Sequence, residues 1–476
     1  MEPALKGLYA EWRERLGIVP PLHEKSDSPP EALLQAVWQH QRLKREDLKT
    51  TDGQPVEILH PGFQSVEGGP DFRGAMIRFP DGVRSGDVEV DIRSSGWRSH
   101  GHDRNPAFKN VILHVLWDAE KPLGGTPPAL CLKPWLDAPI GELNFWLGSE
   151  GAHSWPEALR GKCRAPLQEL GDAAKSALLM EAARVRFQAK AAGFQARARQ
   201  AGWDQALWEG LFRALGYKQN VWPMQRVGEL RARWALRPDD VIGTQARLFG
   251  VSGLLPAELT RSAGAVDSYL RRIWDHWWRE RDAFADCVLP KGVWRLHGLR
   301  PANHPQRRLG LAARWPANGE IANRLEAWCA ADAKPGRLVD SLLECLRGEA
   351  DDFWSWHYTF RSARLKKAQP LLGSARAADI AINVVLPWLW MRAEEGKNKP
   401  LIEKIEGRYF TWPAAEDNSL LRLARERLLG GASKKSLPTA AAQQGLIQIV
   451  RDFCERSNAL CEACKFPDLV RNWPVV

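Results

Sequence analysis

At 476 residues, with 44% hydrophobic and 26% charged side chains and no low-complexity tract, the chain excludes the disordered and fibrous classes and has room for more than one hydrophobic core. Its net charge of +10 and pI near 9.2 favour a polyanionic partner without specifying which one.

Charges break residues 1–17 every few positions, unlike a secretory leader, and the most apolar stretch, residues 380–391, is about half the ~20 residues that a bilayer span needs. A cytoplasmic protein without a membrane span is expected. Its eight cysteines then read as free thiols or metal ligands rather than disulfides.

In chain order, residues 1 to about 50 read as helices. Residues 31–48 follow a Pro pair, open on an acid, and place Leu34, Val37, Trp38 and Gln41 at helical spacing. A short run at 55–60 leads into strands expected at 73–79, 87–94 and 110–117, with 129–133 a further candidate; Gly, Pro, Asp and Ser clusters separate them. Beyond Pro134 the periodicity is helical to the end. Met180, Phe187 and Phe194 recur every seven residues, Arg186, Lys190 and Arg197 lie off that seam, and Trp274, Trp277 and Trp278 share one helical face that reads as buried. The expected architecture is α+β: an N-terminal domain, residues 1–135, on a small mixed or antiparallel sheet, then a mainly helical region, residues 136–476, of one lobe or two.

The chemistry concentrates in residues 68–118. In GDVEVDIRS, Val88, Val90 and Ile92 fall on one strand face, so Asp87, Glu89, Asp91 and Arg93 share the other. Carboxylates at that spacing repel, which calls for a cation, basic partners or full solvation on an open sheet face. Asp71 follows a Gly-Pro turn at a strand entrance, where oxygen ligands can project toward Mg²⁺ or Mn²⁺. Just after the acidic strand come His100, His102 and Asp103. Two imidazoles two residues apart, with Gly101 between them, can reach one ion or simply cap a loop. His114 reads as a satisfied core histidine.

The C-terminal tail carries Cys454, Cys461 and Cys464 in a C-x6-C-x2-C pattern that can chelate zinc, hold an iron–sulfur cluster with a distant ligand, or remain plain buried thiols. A fourth ligand is missing from the local sequence. Residues 184–199 form a basic helix able to track phosphates, and RPANHPQRRL concentrates Arg300, His304, Arg307 and Arg308 as a candidate anion site; solvated surface is the alternative for both. No P-loop, dinucleotide fingerprint or nucleophile elbow is present, which leaves metal-assisted hydrolysis as the leading enzymatic reading.

The strings GGPDF, GDVEVDIRSSGW and HGHDRNPAFKNVILHV, continued by LFRALGYKQN, LFGVSGLL, RPANHPQRRL, a PAAEDN run and QGLIQIVRDFCERSNALCEAC, resemble a bacterial family catalogued as domain of unknown function 2851. That family brings no activity with it. The sheet also resembles the PD-(D/E)XK nuclease superfamily, whose core sets an Asp at the start of one strand and a Glu-x-Lys on the next around a divalent cation. Pro70-Asp71 and Glu89-Val90-Asp91 look like those positions, with Asp91 where the superfamily has Lys. Arg93 can supply charge in its place but cannot act as a base.

The resemblance implies that Asp71 and Glu89 hold Mg²⁺ or Mn²⁺ while Asp91 completes the shell or orients the attacking water. His100 or His102 would protonate the leaving oxygen and Arg93 stabilise developing charge. Two functions follow: a metal-dependent hydrolase acting on nucleic acid, or a non-catalytic nucleic-acid-binding or assembly protein that keeps a nuclease-like sheet.

Overall fold

The structure, a computed structural model, describes residues 7–18, 28–65, 69–118, 125–147, 161–235, 240–256, 259, 265–318, 320–332, 334–347, 350–431, 436–454 and 461–474. Gly68, at the start of the sheet stretch, and residues 455–460 of the cysteine tail lie outside them. Contacts divide the chain into two compact units, Met1–Ala196 with Glu416–Val476, and Arg197–Ala415.

The first unit holds a six-stranded mixed sheet: β1 (Glu57–His60), β2 (Phe63–Gln64), β3 (Phe72–Phe79), β4 (Gly82–Asp91), β5 (Val111–Leu116) and β6 (Ala129–Cys131). The order is β1-β3-β4-β5-β6, with β2 also on β3. β1, β3 and β4 run antiparallel, whereas β4/β5 and β5/β6 are parallel. The parallel pairing makes the sheet mixed and has a physical cause. Residues 92–110 form a crossover long enough to carry the chain back to the start of the next parallel strand, as a tight turn cannot. β4 begins at Gly82, earlier than expected, because Pro80-Asp81 closes a hairpin that pairs Phe79 with Gly82; its first residues are exposed and lack the apolar alternation that betrays a strand.

One face of the sheet is apolar. Ile58, Phe72, Ile77, Val88, Val90, Leu113, Val115 and Leu130 pack with Leu33, Leu34, Val37 and Trp38 of α2 (Glu31–Gln39), the second helix after α1 (Leu8–Arg15). The crossover contains two short turns, α3 (Gly96–Ser99) and a 3-10 turn at Pro106–Phe108. The same core takes in Ile140, Leu143 and Leu147 of α4 (Ile140–Leu147) and reaches Ala196. Arg42 Nε also lies 2.6 Å from Asp137 Oδ2, and Lys44 N donates to Trp135 O at 2.6 Å. The apolar face thus takes helices from beyond residue 135 to exclude water.

A second core in this unit joins α1 to α5 (Arg164–Glu169), the first half of α6 (Asp172–Ala201) and the C-terminal helices Ser419–Leu429, Ala440–Ile449 and Phe466–Arg471. Arg13 makes a two-pronged pair with Asp452, at 2.9 and 3.1 Å, and Tyr9 Oη and Gln448 Nε2 donate to the same carboxylate at 2.8 and 3.0 Å. All the lone-pair directions of a buried charge are thus occupied, the condition under which such a pair holds elements together. On α6, Ala183, Phe187 and Ala191 are buried as expected, while Met180 and Phe194 are half-buried.

The second unit is helical. Trp208, Phe212, Trp234 and Trp315 form its aromatic centre, with ring centroids 5.7 Å apart for Trp208/Trp234 and 5.9 Å for Trp208/Trp315. The tryptophan face of helix Ala265–Glu280 is only partly covered: Trp277 packs on Gly250, but Trp278 is 48% exposed and stacks on Trp274 at 4.6 Å. Arg307 and Arg308 are buried and donate to the carbonyls of Trp354, Gln369, Pro370 and Leu371, so these two cations of RPANHPQRRL hold a loop internally. Among the described residues no helix is long and apolar enough to cross a membrane.

The β4/β5 closure is tight at Gly86, where a Cβ would lie 2.4 Å from Ile112 Cγ2 and 2.5 Å from the Asn110 carbonyl. Gly86→Ala is expected to cost about 1–3 kcal/mol through overpacking. Chemical denaturation monitored by circular dichroism checks this; an unchanged midpoint would contradict the parallel closure.

Candidate metal centre

Glu89 and Asp91 close β4 on the face opposite Val88 and Val90, as the alternation requires. Neither is solvated: Glu89 is 7% and Asp91 2% exposed. The cover is the crossover itself. A Cβ on Gly96, in α3, would sit 2.5 Å from Asp91 Oδ1, so only glycine lets the turn close over that carboxylate. Trp97, Phe108 and Val111 then make a small apolar cluster beside it. The His102 ring stacks on Phe108 at 3.9 Å, and Trp97 meets His102 and His114 at 5.5 and 5.2 Å.

Here the chain brings together acids and imidazoles, of which the His100 side chain is 54% exposed. His114 Nε2, on β5, is 2.9 Å from Asp91 Oδ2, and His100 Nδ1 is 3.2 Å from Asp91 Oδ1. His102 Nε2 is 3.1 Å from Glu89 Oε1, but not in hydrogen-bonding geometry; it is a buried nitrogen without a hydrogen-bond partner. Asp71 stands one layer back. Its Oδ2 accepts from Val90 N at 3.0 Å and its Oδ1 from Gln35 Nε2 at 2.9 Å, while its own N donates to Glu89 Oε2 at 3.1 Å.

Burial sets the protonation. It pushes Glu89 up to about 9, aided by the charges of Asp71, Asp91 and Glu31 and opposed by the Asp71 N–H. Burial also pushes Asp71 up to about 6, against the hydrogen bonds from Val90 and Gln35. Glu31 is raised by burial and by Asp91, and His102 is lowered chiefly by burial, which keeps its ring neutral and able to offer a lone pair.

Asp91, His100 and His102 each place one ligand atom within 4.8 Å of the others. Two imidazole nitrogens and a carboxylate oxygen at that spacing fit a first-row divalent ion better than Mg²⁺, which prefers oxygen throughout. Of the residues singled out from sequence, Glu89, Asp91, His100 and His102 come together, and Asp71 joins through its backbone bond to Glu89. Arg93 lies past the end of β4, exposed, where the alternation that would align it with Asp91 has stopped. Cys454 belongs to the other core of the unit with Cys464 packed against it, and Cys461 Sγ accepts from Arg427. Sequence reasoning missed Glu31, Gln35, Gly96 and the contact of His114 with Asp91. Only the first-turn acid Glu31, four residues before Gln35 on α2, offered a local signal.

The family model described as "Protein of unknown function (DUF2851)" matches residues 31–419. The chain belongs to this family. The match opens at Glu31 and spans every residue of the acid–histidine site, but ends before the three C-terminal cysteines. No curated protein and no solved structure matches the chain, so the likeness to PD-(D/E)XK nucleases rests on the residues alone.

The metal-free protein should lose stability as pH rises. Glu89 and Asp71 ionise near 9 and 6 in the folded chain against 4.5 and 3.8 as free side chains. The folded state therefore binds more protons across that window, and the stabilisation, full below the free-side-chain values, is lost as pH climbs through the folded ones. Glu89→Gln should flatten the decline and raise the melting temperature near about pH 8, read by thermal denaturation in chelator. A wild-type stability that rises between these values would exclude the protonated Glu89.

Proposed function

We propose that this family member is a metal-dependent hydrolase whose ion is held by Asp91, His100 and His102, with Glu89 as the proton-handling group and a phosphodiester as substrate. The juxtaposition of those three ligand atoms within 4.8 Å, next to a carboxyl 3.1 Å from His102, carries the reading. The expected Mg²⁺ or Mn²⁺ narrows to Mn²⁺ or a similar ion because two of the three donors are imidazoles. Such an ion lowers the pKa of water and offsets charge building on a phosphoryl group.

The chain's own groups supply the rest. Metal-free, Glu89 holds a proton; beside a cation its ionised form is favoured, and it can then take the proton of the attacking water. Asp71 is a positioning residue: both its oxygens are engaged, and its N–H holds Glu89 in place. His114 orients Asp91 from behind, as second partners of metal-ligating carboxylates do. An Asp at the entrance of β3 and a Glu-x-Asp on the neighbouring β4 support a nuclease-like substrate, as does the net charge of +10.

The basic helix contributes less than its composition promises. Arg186 Nε and Lys190 Nζ both donate to Gln444 Oε1, at 2.7 and 2.6 Å, and Arg197 makes a two-pronged pair with Glu209.

Mn²⁺ titration by calorimetry should show binding that Asp91→Asn weakens by at least about tenfold. Glu89→Gln should bind the ion and slow cleavage of generic single- or double-stranded nucleic acid by at least about a hundredfold, since it removes the proton acceptor. A wild type that binds Mn²⁺ and cleaves neither DNA nor RNA would favour the non-catalytic binding-protein alternative. A wild type that binds no ion would remove the metal centre itself.

A further inference from the structure

The positive excess of the chain is concentrated in two segments of the second unit. Residues 287–318 and 353–378 hold eleven Lys and Arg and no Asp or Glu. Of the chain's 67 Lys and Arg, that leaves 56 elsewhere against 57 Asp and Glu, so these two segments carry the net charge of +10. At the chain's own frequency of acids, segments of that combined length would include about seven.

The fold joins the two segments and divides their cations by role. Four act internally. Arg307 and Arg308 donate to the carbonyls at 354, 369, 370 and 371, and Gln306 Oε1 accepts from Phe360 N at 3.2 Å, so helix Pro305–Ala312 holds the loop that follows Phe353. Arg314 and Arg376 pair with Asp351 and Asp379, each at 3.4 Å. The other seven are exposed, four of them close together in sequence as Arg361, Arg364, Lys366 and Lys367. The loop that carries these four is tied down. Gln369 N and Leu365 N donate to the Ser355 and Trp356 carbonyls at 2.7 and 2.8 Å, and Ser362 Oγ accepts from Tyr358 N and Thr359 N at 2.9 and 3.2 Å. The Arg364 guanidinium lies over the Trp356 ring, 3.9 Å from its centre, a contact that holds the charge in place. Of the two acids that precede the loop, Asp351 is buried and accepts from Gln245 Nε2 and from the N–H groups of Phe353 and Trp354, which leaves Asp352 at the surface.

We propose that this loop, together with the exposed cations of the segment joined to it, is a docking surface for the phosphate backbone of nucleic acid. A set of cations without local acids matches a polyanion whose charge repeats evenly along its length. A loop already fixed by its own hydrogen bonds loses little freedom when it binds. The composition argues against the other large anionic partners. A protein interface has an apolar centre, and a helix lying on a membrane buries an apolar face. Among the described residues the exposed large hydrophobic side chains are Val83 and Trp278, neither of them in these segments. His304 adds no charge at neutral pH, because burial lowers it to about 4, so the attraction comes from Lys and Arg. The surface goes beyond the metal centre and does not rest on it, since attraction to phosphates needs no bound ion.

The test is fluorescence anisotropy of labelled single-stranded DNA and RNA of about 20 nucleotides, titrated with the full chain in chelator so that the metal centre takes no part. Wild-type affinity should fall linearly with salt on logarithmic axes. The fourfold variant R361Q/R364Q/K366Q/K367Q should bind at least about tenfold more weakly at about 0.1 M salt, with a slope shallower by up to about 3, four contacts at about 0.7 each. An equal change of charge at exposed positions of the same unit that lie among acids, K334Q/R337Q/K397Q/K399Q, should leave affinity and slope near wild type. A wild type that binds neither oligonucleotide, a fourfold variant that binds as wild type does, or an equal loss in the control would overturn the surface. Binding to phosphatidylserine vesicles but to neither oligonucleotide would overturn nucleic acid as the partner. If circular dichroism shows the fourfold variant unfolded, K366Q and K367Q decide in its place, each expected to flatten the slope by about 0.7, and an unchanged slope in both would overturn the proposal.

Discussion

Folding of the sheet forces carboxyl groups out of water at the end of β4, and the rest of the site answers that constraint. Glu89 and Asp91 are almost fully covered, Asp71 touches Glu89 through its backbone, and Glu31 adds a further negative charge from α2. Left alone, such a set is strongly unfavourable in a low dielectric. The molecule has two responses within reach. Without an ion it keeps a proton on Glu89; with an ion the same carboxyl can ionise and Asp91 gains a cation. A site whose charge state changes with its occupant is the arrangement proton-transfer chemistry needs.

The surroundings of those acids are correspondingly specific. Gln35 and the Val90 N–H satisfy Asp71, His114 and His100 satisfy Asp91, and glycine at position 96 lets the crossover lie flat on the carboxylate. Trp97 and Phe108 cover His102, and Trp97 covers His114, while His100 stays exposed. His102 is the group left over, a buried nitrogen facing Glu89 with no hydrogen bond of its own. The proposed ion would give that imidazole a partner.

The positive charge of the chain is used differently from what its distribution suggests. Arg186 and Lys190 converge on Gln444, Arg197 on Glu209, and Arg307 and Arg308 on backbone carbonyls. These cations hold helices and loops within their own units. Arg13 does the same for the two ends of the chain through Asp452, across residues too far apart in sequence for any local pattern to pair.

Local periodicity by itself determined a good deal. A period of two in residues 88–92 decided that Glu89 and Asp91 share a face opposite Val88 and Val90, and helical spacing decided the long α6 and the α+β class. These hold because side-chain direction follows from backbone geometry alone. Tertiary structure decided everything that needed two distant segments to meet: the parallel return of β5 that puts His114 on Asp91, the crossover that folds His100 and His102 over the acids, and the approach of the Cys163 segment to Arg427 and through it to Cys461. Arg93 shows the limit most plainly, since one strand end moved a charge from the acidic face into solvent. Burial, too, belongs to the folded chain, and it is burial that turns Glu89 from an ordinary carboxylate into a group protonated up to about 9.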